Sequence, residues 1–319
     1  MRGKALTPAA LMAAGAVAVA GLSAGQQAPA ASVTALCRPY QYLPVRNGAG
    51  EQFIVRNDNY GGQPECLLNT GGPDFAVSGS GAASRGEPAA FPYIFLGCSW
   101  GLCTPGSGLP AMVAGLPSPR TSWHTSQRAA GSWDASYDIW FNSTPIETGQ
   151  ATGGELMIWL GSQHRPPPPP RTPIVRIDHA RWYLHSWITH HAGIRWRLIQ
   201  FRRVRPVWRV SGLRLRPFVT TLEDHGWIQP WYWLLNIEAG FEIWRGATAW
   251  PPPGSQPGPS ARAAAAHFMQ TQNRSCSSSS AASRPCSNAV SQSSPSAASA
   301  PAPCPPSRLA ARASASAFC

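Results

Sequence analysis

Between residues 36 and 246 apolar and polar residues alternate with a period of two in one short segment after another, and Gly, Pro and Asn clusters separate the segments. Successive side chains of a strand point to opposite faces, so this period belongs to β-strands that each bury one face. The segments are Phe53-Ile54-Val55, Tyr137 to Phe141, Glu155 to Leu160, Val175 to Ile177, Trp182 to Leu184, Trp196 to Phe201 and Trp231 to Trp244. Many short strands divided by turn residues predict an all-β chain, an antiparallel β-sandwich. Leu213, Leu215, Phe218 and Leu222, followed by EDHG, break the pattern and predict one short helix of roughly three turns ending near Gly226.

The flanks differ from this block. Arg2 and Lys4 precede an apolar run, Leu6 to Leu22, and small-residue sites follow at Ala28-Pro29-Ala30 and Val33-Thr34-Ala35. Residues 1–35 therefore read as a secretory signal peptide cleaved near 30 or 35, which makes the mature chain secreted and extracellular, free of the membrane. No later stretch is apolar for long enough to span a bilayer. Residues 36–250 form one folded block, and residues 251–319 are a Pro/Ser/Ala-rich tail with almost no large apolar side chain after Phe268. A tail of that composition is expected to be disordered.

The formal net charge of +12 suggests a polyanion partner until it is located. Residues 164–220 hold twelve Arg against Asp178 alone, whereas the rest of the 36–250 block has seven Arg and thirteen acids. Arg on the outward positions of strands reads as a solvated face, so no nucleic-acid partner is expected. Export favours disulfides among Cys37, Cys66, Cys98 and Cys103; Cys276, Cys286, Cys304 and Cys319 lie in the tail. Neither set has His at zinc-ligand spacing, and His179, His185, His190 and His191 match no metal motif, so no metal is expected.

Two strands each carry a carboxylate in apolar surroundings. In GELMIWL, residues 154–160, Glu155, Met157 and Trp159 share one face and Leu156, Ile158 and Leu160 the other. In EAGFEIW, residues 238–244, Gly240, Glu242 and Trp244 face one way while Ala239, Phe241 and Ile243 face back. A carboxylate there is tolerable only in a solvated cleft or beside a partner. Two acids opposed across a cleft are what glycoside hydrolysis requires.

In these residues the chain resembles glycoside hydrolase family 12, small secreted endoglucanases. The likeness runs through Gly97-Cys98 to Pro110, YDIW at Tyr137 to Trp140, ELMIW at Glu155 to Trp159 and AGFEIW at Ala239 to Trp244, with WYLHSW and WRLIQF between the last two, about 200 residues in order. The resemblance implies a β-jelly roll of two antiparallel sheets with a concave substrate cleft, and retaining hydrolysis of β-1,4-glucans by a monomer without cofactor. It makes Glu155 the nucleophile, Glu242 the general acid/base and Asp138 the acid that hydrogen-bonds and orients the nucleophile. Glu242 is expected to keep its proton through the apolar Trp244 and the charge of Glu155. Tyr60, Trp140, Met157, Trp159 and Trp244 are the implied substrate-binding residues, and Cys37 with Cys66 and Cys98 with Cys103 the implied disulfides.

The chain departs from that pattern in three places. Asn57-Asp58-Asn59-Tyr60-Gly61 stands where the family has Asn-x-Trp-Gly, and GSQHRPPPPPRTP follows Gly161 in place of a Pro-Ile-Gly loop. After Trp244 the sequence RGATAWPPPGS replaces a last strand close to GGxGLATTSF. A reading-frame slip near Arg245 to Ala247 would make the tail an out-of-frame translation; the rival origin is a genuine linker. The rival functions are a glucanase specific for xyloglucan or mixed-linkage glucan, and a non-catalytic carbohydrate-binding sandwich.

Overall fold

The computed structural model describes residues 33–126 and 130–246, and the backbone of 261–264. The signal-peptide reading, the four tail cysteines and most of the tail lie outside these residues. In chain order the strands are β1 (Thr34–Leu36), β2 (Tyr42–Arg46), β3 (Gln52–Arg56), β4 (Glu65–Asn69), β5 (Phe75–Ser80), β6 (Tyr93–Ser99), β7 (Leu102–Cys103) and β8 (Ala111–Met112). There follow β9 (Arg120–Thr125), β10 (Ser132–Asn142), β11 (Gly154–Gln163), β12 (Ile174–Ile177), β13 (Ala180–His191), β14 (Ile194–Arg203) and β15 (Arg209–Arg214). Helix α1 (Arg216–Asp224) precedes β16 (Trp233–Gly240), β17 (Ile243–Arg245) and β18 (Ala261–Ala264).

The smaller sheet has the order β1-β4-β5-β18-β9-β15, and the larger β12-β13-β14-β11-β10-β16-β6-β3-β2, with β17 beside β10, β7 beside β6 and β8 beside β16. Among the described residues one pairing departs from the expected antiparallel pattern: β11 and β14 run parallel, Glu155 opposite Leu198. The reason is a crossover, because the chain leaves β11, builds β12 and β13 at the sheet's end and returns through β14. Two-residue turns close β12–β13 at Asp178-His179 (φ 49° and 63°) and β13–β14 at Ala192-Gly193 (φ 49° and 81°). Positive φ at both central residues matches the turn to the strands' twist.

The alternation in the sequence becomes two faces. Tyr137, Ile139 and Phe141 of β10, Leu156, Ile158 and Leu160 of β11, and Ile237 and Ala239 of β16 join Leu67, Phe75 and Trp123 of the smaller sheet in one core. Burial of such area, at about 25 cal/mol per Å², is what holds the sheets together. Phe218 of α1 plugs one end of the core, its ring edge-on to Trp182 and Phe201, each 5.1 Å away. Disulfides join Cys37 to Cys66 and Cys98 to Cys103, the pairing the resemblance implied. Gly97, at φ 104°, has no room for a Cβ, which would stand 2.3 Å from the Leu235 carbonyl oxygen.

The structure differs from the strand assignments read in the sequence at two places. The run from Trp231 to Trp244 is two strands, β16 and β17, and Glu242 sits in the break between them. There the Phe241 N–H turns to the Pro92 carbonyl while the Glu242 carbonyl still accepts the Asp134 N–H at 3.0 Å. Within the stretch read as a disordered tail, β18 lies between β5 and β9, with Ala263 opposite both Phe75 and Thr125. Composition predicted no strand here; the unfilled slot between two strands supplies hydrogen-bond partners to any extended backbone.

Candidate active site

Along β10 the residues that alternate with the core set are Asp134, Ser136, Asp138 and Trp140; along β11 they are Glu155, Met157 and Trp159. β16 and the segment after it add Asn236, Glu238, Gly240, Glu242 and Trp244. These side chains form the outer face of the large sheet at its centre. Register sets Glu155 opposite Trp140, and Asp138 between Met157 on one side and Glu238 on the other. Glu155 and Glu242 thus stand on opposite flanks of β10. Gly240 keeps the floor low between Glu238 and Glu242, since a Cβ there would meet Tyr93 Cβ at 2.7 Å.

Five acids share this face, and burial raises the pKa of each. Glu155, only 6% exposed, is pushed up to about 8 by burial; the Trp196 indole N–H, donated to its Oε2 at 2.5 Å, pulls it back, and the charges of Glu242 and Glu87 raise it. Glu242 is held well above the usual range by burial, then by the charge of Asp134 and a hydrogen bond with it; Arg165 opposes the rise and Glu87 adds to it. Burial is the largest cause, as the sequence reading had it, and Asp134 supplies the neighbouring charge that the sequence assigned to Glu155. Asp138 is also held well above its usual value, by burial and then by Glu155, Glu238 and Glu242, and the Trp140 indole N–H favours its charged form. The hydrogen bond at Glu155 comes from Trp196, while Asp138 feels the charge of Glu155 and its Oδ1 has no partner. Glu238 is raised to about 8, mainly by burial, and Ser99 bonds it.

The substrate-binding residues read from the sequence divide. Tyr60, 45% exposed, has a hydroxyl pKa raised by burial and then by Glu242, Asp58, Glu155 and Asp138, so it stands over the same acids. Trp140 is half-buried, 5.7 Å ring to ring from Trp196, and lines a pocket of about 300 Å³ with Ser99, Trp100, Gln150 and Asn236. Met157, Trp159 and Trp244 are packed together and 2 to 6% exposed. The cover is the segment at the start of the proline run. The Arg165 guanidinium lies 3.3 Å over the Trp244 ring, and Arg202 sits over Trp159 while donating to the Pro166 carbonyl. His164 ties the same segment to the Gly131 carbonyl at 2.7 Å.

Sequence reasoning missed Asp134, Trp196, Arg165 and Glu238. Asp134 had a signal, because it lies four residues before Asp138 on one strand and shares its face. Trp196 reaches Glu155 only through the non-local pairing of β14 with β11. Among the described residues, the one group with metal-ligand atoms close together is Cys98, Cys103 and Glu147, where the sulfurs are already bonded to each other.

The model of glycosyl hydrolase family 12 matches residues 92–251, half of the chain, which includes all five acids. The chain is 28% identical over 161 residues to endoglucanase S of Pectobacterium parmentieri, 49% of this chain and 61% of that protein. Over 58 residues it is 43% identical to the probable cellulase Cel12b of Mycobacterium tuberculosis, 18% of this chain and 38% of that one. The alignments thus span less than two thirds of either curated relative. Among solved structures, endoglucanase cel12A from Rhodothermus marinus is 30% identical with a TM-score of 0.64, over 74% of this chain and 98% of its own. A family 12 xyloglucanase from Bacillus licheniformis shares the fold, with a TM-score of 0.62 at 20% identity over 75% of this chain and 99% of its own.

Proposed function

From the premise that this chain belongs to glycosyl hydrolase family 12, we propose that it is a secreted, retaining endo-β-1,4-glucanase acting on cellulose-type glucans. The observation that carries the reading is the unequal pair, Glu155 and Glu242, one on each flank of β10. Glu155 receives an N–H from Trp196, which favours its anion; Glu242 neighbours a second carboxyl, which favours its protonated form. Of the two, Glu155 loses its proton first.

In the first step the Glu155 carboxylate attacks the anomeric carbon while Glu242 passes its proton to the glycosidic oxygen, and the leaving chain departs with that proton. In the second, the Glu242 carboxylate takes a proton from water, whose oxygen displaces Glu155 from the glycosyl ester. Asp138, beside Glu155, supplies a charge or a proton according to its state and so tunes the nucleophile. Tyr60 and Trp140 offer stacking surface for glucosyl rings. The leader-like residues 1–35 and the two disulfides support export.

The test is release of reducing ends from carboxymethylcellulose, barley β-glucan and xyloglucan, with proton NMR of the newly formed anomer. Cellulose-type glucan is expected to be cut, with the β anomer appearing first. A failure to cut any of the three, or an α anomer first, overturns the reading.

A further inference from the structure

Two buried carboxyls on this face, Asp134 and Glu238, have no part in the steps above, and Asp134 is the one beside Glu242. Asp134 is 0% exposed, its N–H donates to the Glu242 carbonyl at 3.0 Å, and its side chain shares a face with that of Glu242. Both of its carboxyl oxygens are buried without a fixed partner, and the Glu242 carboxyl and the Ser136 hydroxyl are the side chains that act on them. Apart from that rotatable hydroxyl, no fixed N–H or O–H reaches either oxygen. Two carboxyls can bond only with a proton between them, because an ionised carboxyl only accepts.

We propose that Asp134 is the positioning residue of the proton donor: as the anion it accepts the Glu242 O–H and fixes which of the two carboxyls carries their shared proton. The inference rests on the reading of Glu242 as general acid and adds the group that governs it. Burial lifts Asp134 to about 7, and Glu242, Ser136, Arg165 and Arg202 each limit that rise, while Glu242 is lifted further, so Asp134 is the one that ionises. Once Glu242 has given up its proton, two like charges adjoin, and their repulsion makes Glu242 the stronger base toward the incoming water. The other charged groups that act on the pair are Arg165 and Glu87 from loops and Arg202 from β14, with Glu155, Asp138 and Tyr60 sensing Glu242.

The test compares wild type with Asp134→Asn, reading kcat/KM against pH on barley glucan and on a dinitrophenyl cellobioside, whose leaving group departs without a proton. An amide that donates to Glu242 favours its anion. The alkaline limb on glucan should move to lower pH by about one unit or more, and kcat/KM at neutral pH should fall about 10²-fold. The loss on the dinitrophenyl substrate should be at least about tenfold smaller. An unmoved limb, or equal losses on both substrates, overturns the inference while leaving the glucanase reading intact. A wild type inactive on both substrates removes that reading first. Should the variant not fold, carboxyl carbon NMR of the wild type decides: Asp134 and Glu242 should titrate in linked steps, and independent single-step curves contradict the shared proton.

Discussion

On their inner face β10 and β11 present Tyr137, Ile139, Phe141, Leu156 and Ile158, all fully enclosed among apolar groups; on their outer face, one residue along, they carry Asp134, Asp138 and Glu155, enclosed nearly as completely. Burial has opposite signs on the two. The inner face gains free energy with each group removed from water, whereas the outer face loses it unless its acids hold protons or find partners. The proposed chemistry therefore sits on groups whose burial strains stability, and the inner face offsets that cost.

The sharpest way to break this comparison is one substitution on each face. Glu155→Gln should lower turnover of glucan at least about 10³-fold while leaving the melting temperature equal or higher, because it removes a buried acid but keeps the shape. Leu156→Ala, the next residue, should cost about 2–5 kcal/mol in denaturant unfolding. If Glu155→Gln destabilised as much as Leu156→Ala, the two faces would not differ in the way described.

A second effect follows from pH. Glu155 and Glu238 are raised to about 8, Asp134 and Glu65 to about 7 and Asp58 to about 6, in each case chiefly by burial. A carboxyl whose folded pKa exceeds its unfolded one binds more protons when folded, so its contribution to stability is present at low pH and is lost as pH rises between the two values. Melting temperature should fall from about pH 5 to pH 8. The decline should be shallower in Glu155→Gln; a flat profile, or one rising toward pH 8, would sink the assignment of the strain to these acids.

The smallest effect concerns the cover over Trp244. Arg165→Ala should bare that ring and remove the cation that steadies the Asp134–Glu242 pair, changing KM for barley glucan a few-fold with little change in stability, as for a cation–π contact of about 0.5–2 kcal/mol. Loss of folding would show instead that the proline segment is part of the core.

What the sequence made legible was local. Period-two alternation in GELMIWL assigns every side chain of that strand to a face, and the structure agrees from Glu155 to Leu160. The helix around Phe218 was readable from nearby residues in the same way, whereas the disulfide pairing came from the family resemblance. Trp196 and Arg165 were not, since each depends on which distant strand or loop comes to rest on the floor. The break at Glu242 depends on Pro92 capturing the Phe241 N–H, a contact that no periodicity encodes. Strand β18 comes from a stretch whose composition argues against any strand, and only the slot between β5 and β9 accounts for it.

The most direct test of the account is to incubate the protein with a dinitrophenyl deoxyfluorocellobioside, which forms the glycosyl ester but resolves slowly, and to map the label by mass spectrometry. The account predicts a single fluorocellobiosyl ester on Glu155 and none in Glu155→Gln. A label on Glu238, Asp138 or Glu242, or turnover with no covalent adduct, would contradict it.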